Sequence, residues 1–347
     1  MKRCTIAYPE GEQYHAVTYN DADAIKAIRD LRYKSWGESA KIVLASDMDG
    51  VFEPDDLAMT YCDLLDPVNG ARKFRELRDA VLSPASEGRC PYGFTLVIMA
   101  DAVGLNPNVL EAVGKNVRLT PGSKEFIDFA KEDGFEYIVA NTCSYETSSK
   151  EVCLRLGIED LIAIEFGPEG LIRFAGGPGK SSALRQYLRE KDLTVDDVIV
   201  IGDAWTDYNV LYDFRGSGSV AFNPKYPEIN SRAKVNVYGS DLRVLAPLVY
   251  DDIEGCDDEK TIPDMVVFSG EFPKPTALIK DEIGTAKFMR KKIDDTIESV
   301  MTKEQMMILM KRESRLYDNV DMSGLKVDAI VEKALQKYSE FIRGLDD

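Results

Sequence analysis

KIVLASDMDGV, residues 41–51, decides how the rest of the chain is read. Ile42, Val43, Leu44 and Ala45 form a short apolar run, the pattern of a strand buried on both faces of a parallel sheet. Such a strand ends at the carboxyl edge of the sheet, where open α/β folds bind ligands. Asp47 and Asp49 stand two residues apart at that edge, and Gly50 lets the chain turn sharply away. A buried carboxylate costs free energy unless hydrogen bonds or a cation compensate it. Taken alone the stretch also fits a solvated turn after a core strand, with Asp side chains bonding nearby backbone. The rest of the chain has to choose.

Composition narrows the choice. A chain of 347 residues exceeds one compact core, so a main domain with additions is expected. A hydrophobic share of 44% and a charged share of 30% are those of an ordinary globular protein. The net charge of −17 argues against nucleic acid and against an anionic membrane surface as partners. No apolar run reaches the length of a membrane span, and the start of the chain lacks the apolar core of a signal peptide. Six cysteines without paired metal-ligand spacing or disulfide-scaffold density suggest free thiols in a reducing cytoplasm. His15 is the only histidine, which makes Ser–His–Asp chemistry and histidine-rich metal sites poor readings. Carboxylates are left to carry any catalysis.

Read in order, residues 1–40 form an N-terminal extension with one expected helix, Asp21 to Lys34, packed on the main domain. After the key strand, residues 54–113 turn helical, with helices expected at Pro54–Leu65, Asn69–Leu82, Phe94–Val103 and Pro107–Val113. Ser83–Gly93, with Pro, Gly and Cys, has the character of a lid-forming loop. Strand–helix alternation then resumes, with strands expected at Tyr137–Asn141, Leu161–Glu165, Val198–Ile201, Val220–Phe222 and Val235–Tyr238. Leu171–Phe174 fits a short ribbon. Residues 41–53 and 114–250 therefore make a doubly wound parallel sheet, with 54–113 a helical cap inserted after its first strand. Residues 251–347 are expected to be an acidic loop followed by a mostly helical extension. Its helices, Thr285–Lys311 and Val327–Arg343, have apolar stripes that suit either a helical appendage or a homodimerisation arm.

Three strand ends carry polar groups: Asp47 and Asp49, then Asn141, Thr142 and Ser144, then Asp203 and Asp207. All such ends of a parallel sheet lie on one edge, so residues far apart in sequence converge there. Lys180, after the turn GGPG, can reach the same edge. Like charges about 4 Å apart cost on the order of 4 kcal/mol at an effective dielectric near 20, so gathered aspartates need the lysine and a divalent cation. All-oxygen ligands suit Mg2+.

DMDGV, NTCS after a strand, Lys180 in GGPGKS and GDAWTD, in this order, resemble the four motifs of the haloacid dehalogenase-like superfamily. LTPGSKEFIDFAKEDG is similar to that family's stretch leading into its second motif. The resemblance spans Ile42 to Tyr238. It implies a Rossmann-like core and a phosphatase, phosphoserine-phosphatase-like in cap placement, that hydrolyses a small phosphorylated metabolite. By the resemblance Asp47 is the nucleophile that becomes an aspartyl-phosphate, and Asp49 the acid and base. Thr142 would bind the phosphoryl group, with Asn141 and Ser144 as neighbours able to take that role, and Lys180 would neutralise its charge. Asp47, the Asp49 carbonyl, Asp203 and Asp207 would hold Mg2+. Helix capping is the plainer reading for Ser144. Among Arg72, Lys73, Arg75, Arg78 and Arg89 a solvated helix face is the plainer reading for most, though each could meet an anionic substrate. Phe94–Met99 reads as cap core, and Trp205 fits the site's edge or the core equally. Two other readings stay open: a phosphomutase or phosphotransferase of the same superfamily, and a regulatory module that binds phosphate without turnover.

Overall fold

The computed structural model describes residues 4–10, 13–19, 30–33, 35, 41–54, 56–81, 94–167, 170–173, 175–176, 178–239, 241–249, 265–269, 320–333 and 336. Ten strands are named in chain order: β1 Cys4–Glu10, β2 Gln13–Tyr19, β3 Val43–Ser46, β4 Tyr137–Tyr145 and β5 Asp160–Gly167, followed by β6 Gly170–Arg173, β7 Val198–Gly202, β8 Ser219–Phe222, β9 Val235–Gly239 and β10 Met265–Ser269. They form one sheet in the order β2-β1-β10-β9-β8-β7-β3-β4-β5-β6. The six strands from β9 to β5 run parallel. At one edge β6 pairs antiparallel with β5. At the other, β10 lies antiparallel to β9 and parallel to β1, and β2 closes back on β1.

Two apolar layers explain the continuous hydrophobic runs of the central strands. Val43 and Ala45 of β3, with Val198 and Val200 of β7, face one layer that also holds Leu184, Leu188, Val210 and Leu211. Leu44, Ile199 and Ile201 face the other. Successive side chains alternate between faces and both faces are covered, so neither can be polar.

The insertion after β3 folds as helices Leu57–Leu65, Gly70–Val81, Phe94–Val103 and Pro107–Asn116. Its apolar side chains, among them Tyr61, Phe74, Leu96 and Val109, are continuous with the second sheet layer. Leu96 to Met99 are buried in succession, which is why the third of these helices reads as apolar all round. Helices Ser123–Glu132, Glu146–Leu156 and Pro178–Glu190 alternate with β4 to β7 as the sequence pattern predicts.

Three stretches differ from expectation. Where residues 1–40 were expected to add one helix, residues 4–19 supply two strands of the sheet; 30–33 are helical, and 21–29 lie outside the described residues. Pro9, inside β1, weakens the strand signal. The region beyond 250, expected to be loop and helix, contributes β10 at Met265–Ser269, wedged between β9 and β1. A short apolar run carries no period that separates strand from helix. Ser83–Gly93, Arg89 and Thr285–Lys311 lie outside the described residues, as does most of Val327–Arg343. The segment just before it, residues 320–325, docks on the insertion. The Val320 amide donates to Leu65 O at 3.0 Å, the Met322 amide to Asp66 Oδ2 at 2.9 Å, and Lys73 Nζ to Leu325 O at 3.1 Å. Among the described residues no helix is long and apolar enough to cross a membrane.

Candidate active site

β3 lies between β4 and β7, so the carboxyl ends of all three meet at the middle of the sheet. Asp47 follows β3 and is 3% exposed. Its Oδ1 accepts from the Met48 amide at 2.8 Å and pairs with Lys180 Nζ at 2.7 Å. Its Oδ2 has no hydrogen-bond partner among the described residues, and the residue lines a cavity of about 210 Å³. One oxygen is anchored and the other is available. Burial, and then Asp207, push the Asp47 pKa well above the ordinary carboxylate range, with Lys180 pulling the other way.

Lys180 sits in the first turn of helix Pro178–Glu190, 1% exposed, between Asp47 and Asp207 Oδ1 at 2.5 Å. Burial works against its charge, but the two carboxylates outweigh it and hold the ammonium above the usual lysine range. Asp207 is the internal brace of the turn after β7. Its Oδ2 accepts from the Asp203 amide at 2.9 Å and the Ala204 amide at 3.1 Å.

Asp203 pairs through Oδ2 with Lys225 Nζ at 2.9 Å, while its buried Oδ1 has no partner among the described residues. Burial pushes its pKa up to about 6 against the pull of Lys225. Gly50, at φ +91°, makes this packing feasible. A Cβ there would lie 2.0 Å from Asp203 Oδ2 and 2.7 Å from Lys225 Nζ. Only glycine fits the conformation and the gap.

Asp49 is held at both oxygens. Oδ1 accepts from the Leu57 amide at 2.9 Å, at the start of the insertion, and Oδ2 from Thr142 Oγ1 at 3.1 Å and Ser144 Oγ at 2.5 Å. The expected capping role of Ser144 is corrected here. β4 runs on through a register shift to Tyr145, which is itself the helix cap, and this leaves the Ser144 hydroxyl free to turn onto Asp49. Thr142 stands behind Asp49, and its Oγ1 also accepts from the Ser144 amide at 3.0 Å. Asn141 reaches Lys180 O at 3.4 Å and keeps a buried Oδ1 without a donor. Of the three polar residues at the end of β4, Ser144 is the one lining the cavity.

The sequence reading missed Lys225, Asp56 and Tyr226, which also line the cavity. Asp56 caps helix Leu57–Leu65 by accepting from the Met59 amide at 2.9 Å, and burial beside Asp49 pushes its pKa up to about 6. Lys225 is aimed by a strained clasp. Asn223 adopts φ +47°, and its side chain donates to Gly239 O at 2.8 Å and accepts from the Gly239 amide at 3.1 Å. The Lys225 amide then donates to Asp203 O at 2.9 Å. The carboxyl end of β8 was the available signal, because it shares the sheet edge with the other site residues. Among the insertion's basic residues, Arg78 lines the cavity, whereas Arg72 pairs with Glu76 on the surface.

Asp47, Asp203 and Asp207 offer oxygens that all lie within 4.8 Å of one another. Five carboxylates, counting Asp49 and Asp56, face the ammonium groups of Lys180 and Lys225 and the Arg78 guanidinium. The surplus of negative charge, the all-oxygen donor set and the unpartnered Asp203 Oδ1 fit a hard divalent cation such as Mg2+. Asp47 and Asp203 have the oxygens to hold it, while the oxygens of Asp207 already serve Lys180 and the turn.

No protein-family model matches the sequence, and no curated protein matches it. Solved structures do. A HAD family hydrolase from Salmonella enterica serovar Typhi superposes with a TM-score of 0.52 at 15% identity, over 72% of this chain and 90% of that one. The chain therefore has the α/β fold of the haloacid dehalogenase-like hydrolases. Two looser likenesses carry no weight: a phosphoserine phosphohydrolase-like protein from Francisella tularensis, and a gene product from Archaeoglobus fulgidus. The first has 19% identity over 61% of this chain and 100% of that one, TM-score 0.46. The second has 16% identity over 89% and 98%, TM-score 0.46.

Proposed function

We propose that this protein is a Mg2+-dependent phosphatase that hydrolyses a small phosphorylated metabolite through an aspartyl-phosphate on Asp47. The observation that carries the reading is the asymmetry of Asp47: Oδ1 is fixed by Lys180 and the Met48 amide, and Oδ2 is free at a cavity. A carboxylate oxygen held at one end and unencumbered at the other is a positioned nucleophile. Oδ2 attacks phosphorus, the bond to the leaving oxygen breaks, and Asp49 gives that oxygen its proton. Water then attacks phosphorus, returns a proton to Asp49, and frees Asp47 and inorganic phosphate. Lys180 balances the charge on Asp47 and on the transferring group, and Leu57, Thr142 and Ser144 keep Asp49 oriented. Asp203, with Asp47, would hold Mg2+, which would supply charge stabilisation for the phosphoryl oxygens.

Turnover of a panel of phosphate monoesters by purified protein, with Mg2+ and with a chelator, tests this beside Asp47→Asn. Metal-dependent release of phosphate that falls by about a thousandfold or more in the variant is expected, the scale on which loss of a nucleophile acts. Full activity in Asp47→Asn would overturn the mechanism.

A further inference from the structure

We propose that the phosphate ester hydrolysed here carries a single planar apolar ring, seated against Trp205 and Tyr226. The inference rests on the phosphatase reading above and deepens it by naming the class of leaving group. Trp205 follows β7 and Tyr226 follows β8; both line the cavity, with ring centroids 5.7 Å apart and planes tilted by 42°. Across from this sheet-edge wall, Met59 and Leu96 line the cavity from the helical insertion.

The aromatic wall is not a by-product of building the metal-binding turn. The hydrogen bonds of that turn are made by Asp207 with the Asp203 and Ala204 amides, and none uses the indole. The indole is also braced by a second ring. It stacks on Tyr208 at 5.4 Å and 29°, and the Arg232 guanidinium covers the Tyr208 ring at 3.9 Å. A ring fixed in this way meets a ligand with little further ordering cost.

The charged groups around the rings already have partners. Lys225 is committed to Asp203, Arg78 pairs with Asp79, and Asp56 caps a helix. Hydroxyls of a polyol leaving group laid on Leu96, Met59 and the two rings would lose hydration there, which is unfavourable. Size points the same way. A cavity of roughly 150 Å³ accommodates a benzene ring, so about 210 Å³ has room for one ring.

The test compares esters of similar alcohols, so that leaving-group reactivity does not decide the result. Benzyl phosphate, glycerol 3-phosphate and glucose 6-phosphate are offered to the full chain with Mg2+. The expected kcat/KM for benzyl phosphate is about tenfold or more above the other two, the size of one aromatic stacking contact. Trp205→Ala is expected to erase most of that preference through KM. Met59→Trp, which fills the opposite wall, is expected to do the same and covers the case in which the first variant folds poorly. Binding is read separately from the Trp205 fluorescence of a Trp36→Phe, Asp47→Asn protein, which benzyl phosphate is expected to quench. Equal or better turnover of the two polyol phosphates overturns the ring site and leaves the phosphatase reading standing. Quenching by benzyl phosphate with no turnover of any ester supports the ring site and overturns the phosphatase reading. Neither quenching nor turnover overturns both.

Discussion

The floor and the walls of the cavity are built on opposite plans. The floor is a mesh of charged groups on strand ends, in which Asp47, Asp49, Asp203, Asp207 and Lys180 each hold assigned partners at distances of 2.5–3.1 Å. The walls carry the apolar and aromatic side chains, Met59, Leu96, Trp205 and Tyr226 among them, and are drawn from two separate parts of the chain: the insertion, and the loops after β7 and β8. A mesh of buried charges has few alternative arrangements, because any unpaired member is costly. An apolar wall adapts by shape alone. The fold can thus keep one phosphoryl chemistry in the floor while the walls set which ester enters.

If that division holds, floor variants respond to charge and are severe. Lys180→Met removes the cation between two buried carboxylates, and breaking a buried pair in this way typically costs about 3–5 kcal/mol. Urea melts should show a loss of that order, together with loss of turnover. A loss below about 1 kcal/mol, the size of a surface pair, would break the comparison.

Acidity sharpens it next. Asp203 and Asp56 have folded-state pKa values raised to about 6, so the folded protein binds more protons than the unfolded chain between the ordinary carboxylate range and that value. Their contribution to stability therefore falls as pH rises through this window, by about 1.4 kcal/mol per unit for each group still protonated. A divalent cation binds the deprotonated form, so its stabilisation grows over the same window. Thermal melts from pH 4.5 to 7.5, with chelator and with Mg2+, should diverge as pH rises; parallel curves would remove Asp203 from the metal set.

The smallest expected effect concerns Lys225, whose side chain is 47% exposed. Solvent screening should hold its coupling to Asp203 near 1 kcal/mol in a double-mutant cycle of Lys225→Met with Asp203→Asn. A coupling indistinguishable from zero would make Lys225 part of the wall rather than of the floor.

What could be read in the sequence follows from the same physics. The runs before Asp47 and Asp203 are apolar because both faces of β3 and β7 are covered, so the strands announce themselves and place their carboxylates. Lys180 was legible through its glycine-rich turn and came to lie between Asp47 and Asp207. Lys225 was not, because the turn that carries it is pinned by a side-chain clasp from Asn223, just after β8, to Gly239 at the end of β9, a contact that no local pattern encodes. Ser144 was misread because one register shift in β4 moves the helix start past it. The outer strands failed for a third reason. β1 and β2 hold a proline and sit at an edge, and β10 is too short to show a period.

The place of β10 sets an order of events at the ribosome. Among the described residues, the hairpin of β1 and β2 joins the rest of the sheet through β10, with Cys4 opposite Met265 and Ala7 opposite Phe268. At about 5–20 residues per second, synthesis takes tens of seconds to pass from one partner to the other. Until then the hairpin of β1 and β2 has no edge to join, while β3 to β9 can already assemble around Asp47. β1 and β2 are thus made well before the strand that seats them.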